Sequence, residues 1–186
     1  MNRTEIHLAL PPWIGAEIDA DRVFPDAPSR VAFAIRLARR NVDERSGGPF
    51  GAAIFDAGGR IVGAGVNRVL PQSCSAAHAE ILAFATAQAR AGRARLNADG
   101  ARYTLATSAQ PCAMCYGACF WAGIDEILIG ARGEDVMSLS EFDEGPLPDD
   151  WIGELASRGI VVRRDILREE AREVFVRYAQ AGGRAY

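Results

Sequence analysis

Two short stretches of this chain hold residue types that bind metal and move protons. They are Ser75-Ala76-Ala77-His78-Ala79-Glu80 and Pro111-Cys112-Ala113-Met114-Cys115. A Cys-x-x-Cys pair that opens a helix puts its two sulfurs on one face at i and i+3. The positive end of that helix favours thiolates, the form that zinc binds. His78 adds an imidazole, giving a Cys₂His donor set with a fourth position left for water. Catalytic zinc keeps that position open, whereas structural zinc closes it. Glu80, two residues from the histidine, is a carboxylate able to take a proton from such a water and deliver it elsewhere. Residues i and i+2 do not share a helix face, so His78 and Glu80 are expected to act from a first turn. The only histidines are His7 and His78, so a two-histidine site would need His7 to fold back.

A closed site is the alternative. Cys119 stands at i+4 from Cys115 and could complete a Cys₃His structural site, making the protein a zinc-stabilised binding module. That leaves Glu80 without a task, and the apolar neighbours of Cys119 suit a small core residue. Cys74 reads as buried packing rather than as a ligand.

The elements that must position these groups follow from periodicity. Ser29 reads as the N-cap of a helix over residues 29–44, with Val31, Ala34, Ile35, Ala38 and Val42 at helical spacing. Residues 50–55 and 60–66 read as strands joined by Asp56-Ala57-Gly58-Gly59. A helix is expected over residues 75–91, closed by Gly92. A strand at 103–107 precedes a helix over 112–122, with Pro111 in the first turn. A strand at 126–129, short helices at 134–139 and 150–157, a strand at 159–162 and a helix over 165–179 complete the pattern. Helical material between the fourth and fifth strands predicts a parallel crossover. The expected architecture is α/β in three layers, α/β/α, with a five-stranded mixed sheet covered by helices on both faces. All 186 residues are expected to form one domain, with residues 1–28 an irregular N-terminal arm and 180–186 a tail.

Composition bounds the partners. Apolar residues make up 49% and charged residues 24%, as in ordinary globular proteins. Net charge is −3 and arginines are scattered, which argues against an obligatory nucleic acid partner. Residues 1–10 hold Glu5 and no basic region followed by a long apolar run, which argues against a secretory signal. Residues 103–124 are uncharged, but Thr104, Ser108, Gln110 and Pro111 divide them into a strand and a helix rather than a membrane span. A cytoplasmic location is expected, where the four cysteines stay reduced.

His-x-Glu followed by Pro-Cys-x-x-Cys is the signature of the zinc nucleobase deaminases. On these residues the chain resembles the cytidine deaminase superfamily over roughly residues 30–165, and within it most resembles bacterial guanine deaminases. The resemblance implies the cytidine deaminase-like fold, zinc on His78, Cys112 and Cys115, Glu80 as proton shuttle, a small nucleobase substrate and a homodimer. It implies that Asn67, after the second strand, hydrogen-bonds the base or its sugar, and that Phe50 in Gly48-Pro49-Phe50-Gly51 stacks on a purine ring. Phe142-Asp143-Glu144-Gly145-Pro146 resembles the segment whose acid contacts the purine, Glu144 being the stronger candidate and Asp143 the second. A carboxylate accepts from the N1–H and 2-amino donors of guanine, whereas N1 of adenine would repel it. The tail, ending in Tyr186, resembles those that fold over the site. The implied reaction is hydrolysis of guanine to xanthine and ammonia, with Glu80 and Glu144 moving protons. Guanosine, ammeline or another aminated heterocycle, or an adenosine in tRNA, remain as other substrates.

Overall fold

The computed structural model describes residues 4–19 and 21–186; residues 1–3 and 20 of the expected arm lie outside the described residues. Five strands form one sheet in the order β2-β1-β3-β4-β5: β1 (Gly51–Asp56), β2 (Ile61–Val66), β3 (Tyr103–Ala109), β4 (Glu126–Ala131) and β5 (Val161–Arg163). The hairpin β1–β2 and the pair β1–β3 are antiparallel, while β3–β4 and β4–β5 are parallel. The mixed sheet and the parallel crossover are as the sequence predicts.

Alternation along β1 feeds two cores. Ala53 and Phe55 face α2 (Ala27–Asp43), α6 (Gly133–Leu139) and α8 (Arg168–Gln180). Ala52 and Ile54 face α4 (Ala79–Ala91), α5 (Ala113–Ala122) and α7 (Trp151–Ser157). Two short α-helices, α1 (Ile14–Glu17) and α3 (Val69–Gln72), and one 3-10 turn (Leu96–Asp99) complete the set among the described residues, none of which the sequence pattern announced.

Several boundaries move for identifiable reasons. Asp26, not Ser29, caps α2: its carboxylate accepts from Ser29 N at 2.8 Å, and Ser29 answers as the third residue of a capping box. The helix expected from residue 75 begins at Ala79, because residues 74–77 form a turn in which Ala77 N donates to Cys74 O. Pro111 precedes the cap of α5 instead of sitting in its first turn, and Cys112 is the cap.

Helix α4 rests on β2 through two glycines. A Cβ at Gly63 would lie 2.5 Å from Ala87 N, and one at Gly65 2.5 Å from Ala83 N. Only glycine lets the helix carrying His78 and Glu80 approach the sheet this closely. Opposite, α8 is tied to α6 by Asp135. Its buried carboxylate receives Arg168 at 2.7 and 2.8 Å and also meets Arg172. No helix among the described residues is long and apolar enough to cross a membrane.

Candidate active site

Two helix N-termini converge where the carboxyl ends of β3 and β4 open, the usual crevice of an open α/β sheet. His78 is the cap residue of α4, in extended backbone at φ −72° and ψ 157°, and Glu80 is the second helical residue. The break between them answers the i, i+2 problem: His78 turns away from the helix while Glu80 stays on it. Cys112 caps α5 and Cys115 lies one turn on, so both sulfurs stand at the positive end of that helix.

His78 Nδ1 lies 3.5 Å from Cys112 Sγ and 3.7 Å from Cys115 Sγ. Bonds of about 2.0 Å to nitrogen and about 2.3 Å to sulfur, set at tetrahedral angles, put such corners about 3.6 Å apart. Both nitrogen–sulfur edges therefore already match those of a zinc tetrahedron, and the three donors lie within 4.8 Å of one another. Cys119 is not part of the set. It is fully buried and its thiol donates back to Cys115 O at 3.1 Å, so it packs as a core residue and does not close the site. Cys74 differs from expectation: it is half-exposed in the turn after α3, not buried.

Charge in this cluster is tightly shared. The hydrogen bond from Cys115 pulls the Cys112 thiol down to about 4, with further help from His78. Cys115 is pushed up as the thiol that donates it and by its burial. Burial disfavours protonation of His78, but Cys112 and Glu80 outweigh it and raise the imidazole. Metal binding would release these protons, since zinc takes thiolate and neutral imidazole.

Glu80 is buried, with Thr107 Oγ1 at 3.4 Å from one oxygen and Cys115 Sγ at 3.4 Å from the other. Burial, and then the Cys112 charge, raise its carboxyl above the usual range. Glu144 is also buried, and its carboxyl is pushed up to about 8 by burial and then by Glu80 and Cys112. Its backbone fixes it there, because Ala113 N in the first turn of α5 donates to Glu144 O at 2.8 Å.

A cavity of about 140 Å³ joins these groups, lined by Phe50, Asn67, His78, Glu80, Gln110, Cys112, Phe142, Asp143, Glu144 and Tyr186. It is well below the ~300 Å³ at which drug-sized pockets begin, and it combines apolar walls with a few polar groups. A larger cleft, about 710 Å³, lies between residues 4–8 and 72–74, but its ionisable pair Glu5–His7 is exposed, so size does not choose the site.

Eight of the nine residues singled out from sequence line this cavity, and the ninth, Cys115, joins it through the metal-ligand set. They are not equivalent. Asn67 is 1% exposed, and Val69 N donates to its Oδ1 at 3.2 Å, leaving its Nδ2 as the donor free of that bond. Asp143 is exposed and its carboxylate accepts from Gly145 N at 2.9 Å, so the buried acid of this segment is Glu144. Phe50 meets Phe142 edge-on at 5.1 Å, and Phe142 meets Tyr186 edge-on at 4.9 Å. Sequence reasoning missed Gln110 and the lining role of Phe142. Gln110 accepts from Gly133 N at 3.3 Å, and its place directly before Pro111 was the available signal.

Residues 29–131 match the family described as the cytidine and deoxycytidylate deaminase zinc-binding region. A probable cytosine deaminase of Schizosaccharomyces pombe is 33% identical over 58% of this chain and 62% of its own length. The chain thus spans less than two thirds of that relative. The guanine deaminase of Bacillus subtilis is 36% identical over 60% of this chain and 67% of its own. A solved structure of guanine deaminase from Nitrosomonas europaea superposes with a TM-score of 0.91 and 40% identity, covering 97% of this chain and 99% of that one.

Proposed function

This chain belongs to the cytidine and deoxycytidylate deaminase family, and from that premise we propose that it hydrolyses guanine to xanthine and ammonia. The observation that carries the reading is the pair of buried carboxyls, Glu80 and Glu144, on one cavity of about 140 Å³. Zinc, held by His78, Cys112 and Cys115, would supply a water acidic enough to attack at neutral pH. Glu80 takes the proton of that water and hands it to the ring nitrogen beside C2. The new C2–O bond forms as the ring C2=N3 double bond opens onto that nitrogen, leaving a tetrahedral carbon that carries both the hydroxyl and the amine. The Glu144 carboxylate takes the proton of the C2 hydroxyl and passes it to the amine, so C2=O forms as the C2–N bond breaks and ammonia leaves. Asn67 offers its amide Nδ2–H to an acceptor on the base, and Phe50 and Phe142 supply the apolar walls. Tyr186 closes the mouth.

The similarity to a probable cytosine deaminase supplies the rival substrate. Cytosine presents the acceptor N3 beside its amino group where guanine presents N1–H, so a carboxylate at Glu144 suits guanine and meets a lone pair on cytosine. The assay is ammonia release by zinc-loaded protein from guanine, cytosine, guanosine and ammeline, with Glu80→Ala as the blank. Guanine turnover that falls at least ~100-fold in the variant is the expected result. Faster turnover of cytosine would replace the reading with pyrimidine deamination.

A homodimer belongs to the same reading, supported by α5. Met114, Gly117, Ala118 and Trp121 run along its outer side without one charged residue, and Trp121 is 74% exposed. A cytoplasmic location is supported by four cysteines that form no disulfide.

A further inference from the structure

Asn41 lies outside the cavity, in the last turn of α2, and is fully buried. Its Nδ2 donates to two backbone carbonyls, Gly48 O at 2.8 Å and Asn67 O at 2.9 Å. Its Oδ1 accepts from Ser46 Oγ at 2.7 Å. Ser46 Oγ in turn accepts from Trp13 Nε1 at 3.1 Å. The chain of bonds has one direction. Backbone carbonyls can only accept, so Nδ2 must face Gly48 O and Asn67 O and Oδ1 must face Ser46, whose hydroxyl lies 2.7 Å from Oδ1 and 3.4 Å from Asn41 O. That fixes which end of the Asn41 amide faces the two carbonyls.

Both carbonyls belong to segments that carry the cavity wall. Gly48 O also accepts from Phe50 N at 2.9 Å, and Asn67 N donates to Phe50 O at 3.1 Å. Gly47 sits against Asn67 O so closely that a Cβ there would overlap it. A Cβ at Gly48 would stand 2.5 Å from Tyr186 Oη and 3.1 Å from Asn67 Oδ1. The loop before β1 and the end of β2 are thus one unit, joined from within by the Asn41 amide and at the surface by Arg68, whose guanidinium donates to Ser46 O.

We propose that Asn41 is a positioning residue for substrate recognition: by clamping Gly48 O and Asn67 O it sets where the Asn67 amide stands in the cavity. The N-terminal arm takes part through Trp13, although Trp13 does not line the site. The proposal rests on Asn67 being a substrate contact. Asn41 acts through Asn67, so losing both should cost no more than losing Asn67.

The test is a double-mutant cycle on zinc-loaded protein with guanine, using Asn41→Ala, Asn67→Ala and the double variant. Asn41→Ala is expected to raise KM about tenfold with little change in kcat and with zinc content kept. The double variant is expected to match Asn67→Ala alone. Effects that multiply in the double variant would overturn the positioning role, because independent structural damage adds in free energy. An unchanged KM in Asn67→Ala would instead remove the substrate-contact reading, and the proposal with it. If Asn41→Ala does not fold, Trp13→Phe carries the test, since it deletes the indole N–H and keeps an aromatic ring. A severalfold rise in KM supports the relay, and an unchanged KM overturns it.

Discussion

His78 Nδ1 and Cys112 Sγ face each other across 3.5 Å from the caps of two different helices, α4 and α5. Neither residue is oriented by its own helix alone. The pairing depends on α4 and α5 packing on the same face of the sheet, where Ala79, Ala83, Cys119 and Ala122 share one core. Replacing His78 with alanine leaves two sulfurs, which cannot hold three-coordinate zinc. Metal analysis of His78→Ala should show zinc content well below one per chain, with deaminase activity lost. Full zinc occupancy in that variant would point to a different ligand set.

Glu144 offers a stability test that needs no substrate. Its folded pKa of about 8 stands above the usual carboxylate value, so the folded zinc-free chain keeps a proton that the unfolded chain gives up. Stability therefore falls as pH rises from roughly 4.5 to 8, and Glu144→Gln removes that loss. Thermal melts of zinc-free protein should show the variant gaining on the parent as pH goes from 5 to 8. A gap that stays constant would mean that the carboxyl is not buried with its proton.

The opposite sign holds for Asp135. Its ion pairs with Arg168, together with bonds from Arg132 N and Arg172, hold its carboxyl down at about 2. The stabilisation is complete above the unfolded value near 4 and is lost as pH falls toward 2. Asp135→Asn should cost on the order of 1–3 kcal/mol at pH 7 and little at pH 2.5. Denaturant melts at the two pH values measure it, and an equal cost at both would show that the loss is packing and not charge.

Gly65 tests how α4 is seated. Valine there would push against the backbone at Ala79 and Ala83, the first two turns of the helix that carries Glu80. Overpacking of this kind costs about 1–3 kcal/mol. Because the displaced turn holds His78 and Glu80, Gly65→Val should lower zinc affinity as well as the melting temperature. Competition with a chelator separates the two, and unchanged zinc affinity would mean that α4 shifts without moving its cap.

The site was legible in sequence to an uneven degree. His78, Glu80, Cys112 and Cys115 stand out because chemistry demands those residue types at short spacing, and spacing is a property of the chain. Asn67, Phe50, Glu144 and Tyr186 came from family resemblance, since nothing in their local pattern separates a cavity wall from a turn or a core residue. Asn41 carried no sequence signal at all. It reads as one polar residue on an amphipathic helix, and its two acceptors are 7 and 26 residues away. Gln110 was passed over because its place directly before Pro111 marks a position beside the ligand pair and demands no particular chemistry of the residue there.

By itself the sequence determined the order of the five strands and the six longer helices, the mixed sheet and a candidate ligand triad, because periodicity and side-chain chemistry act over a few residues. Helix starts were less secure: α4 and α2 begin where a turn and a capping box place them, not where hydrophobic spacing starts. Only the tertiary structure decided that Glu144 is buried while its neighbour Asp143 is exposed. It alone brought Tyr186 to Phe142 and tied Trp13 to Asn41 through Ser46. Those outcomes depend on segments far apart in the chain meeting at one crevice, where close packing and the need to satisfy every buried polar group select a single arrangement.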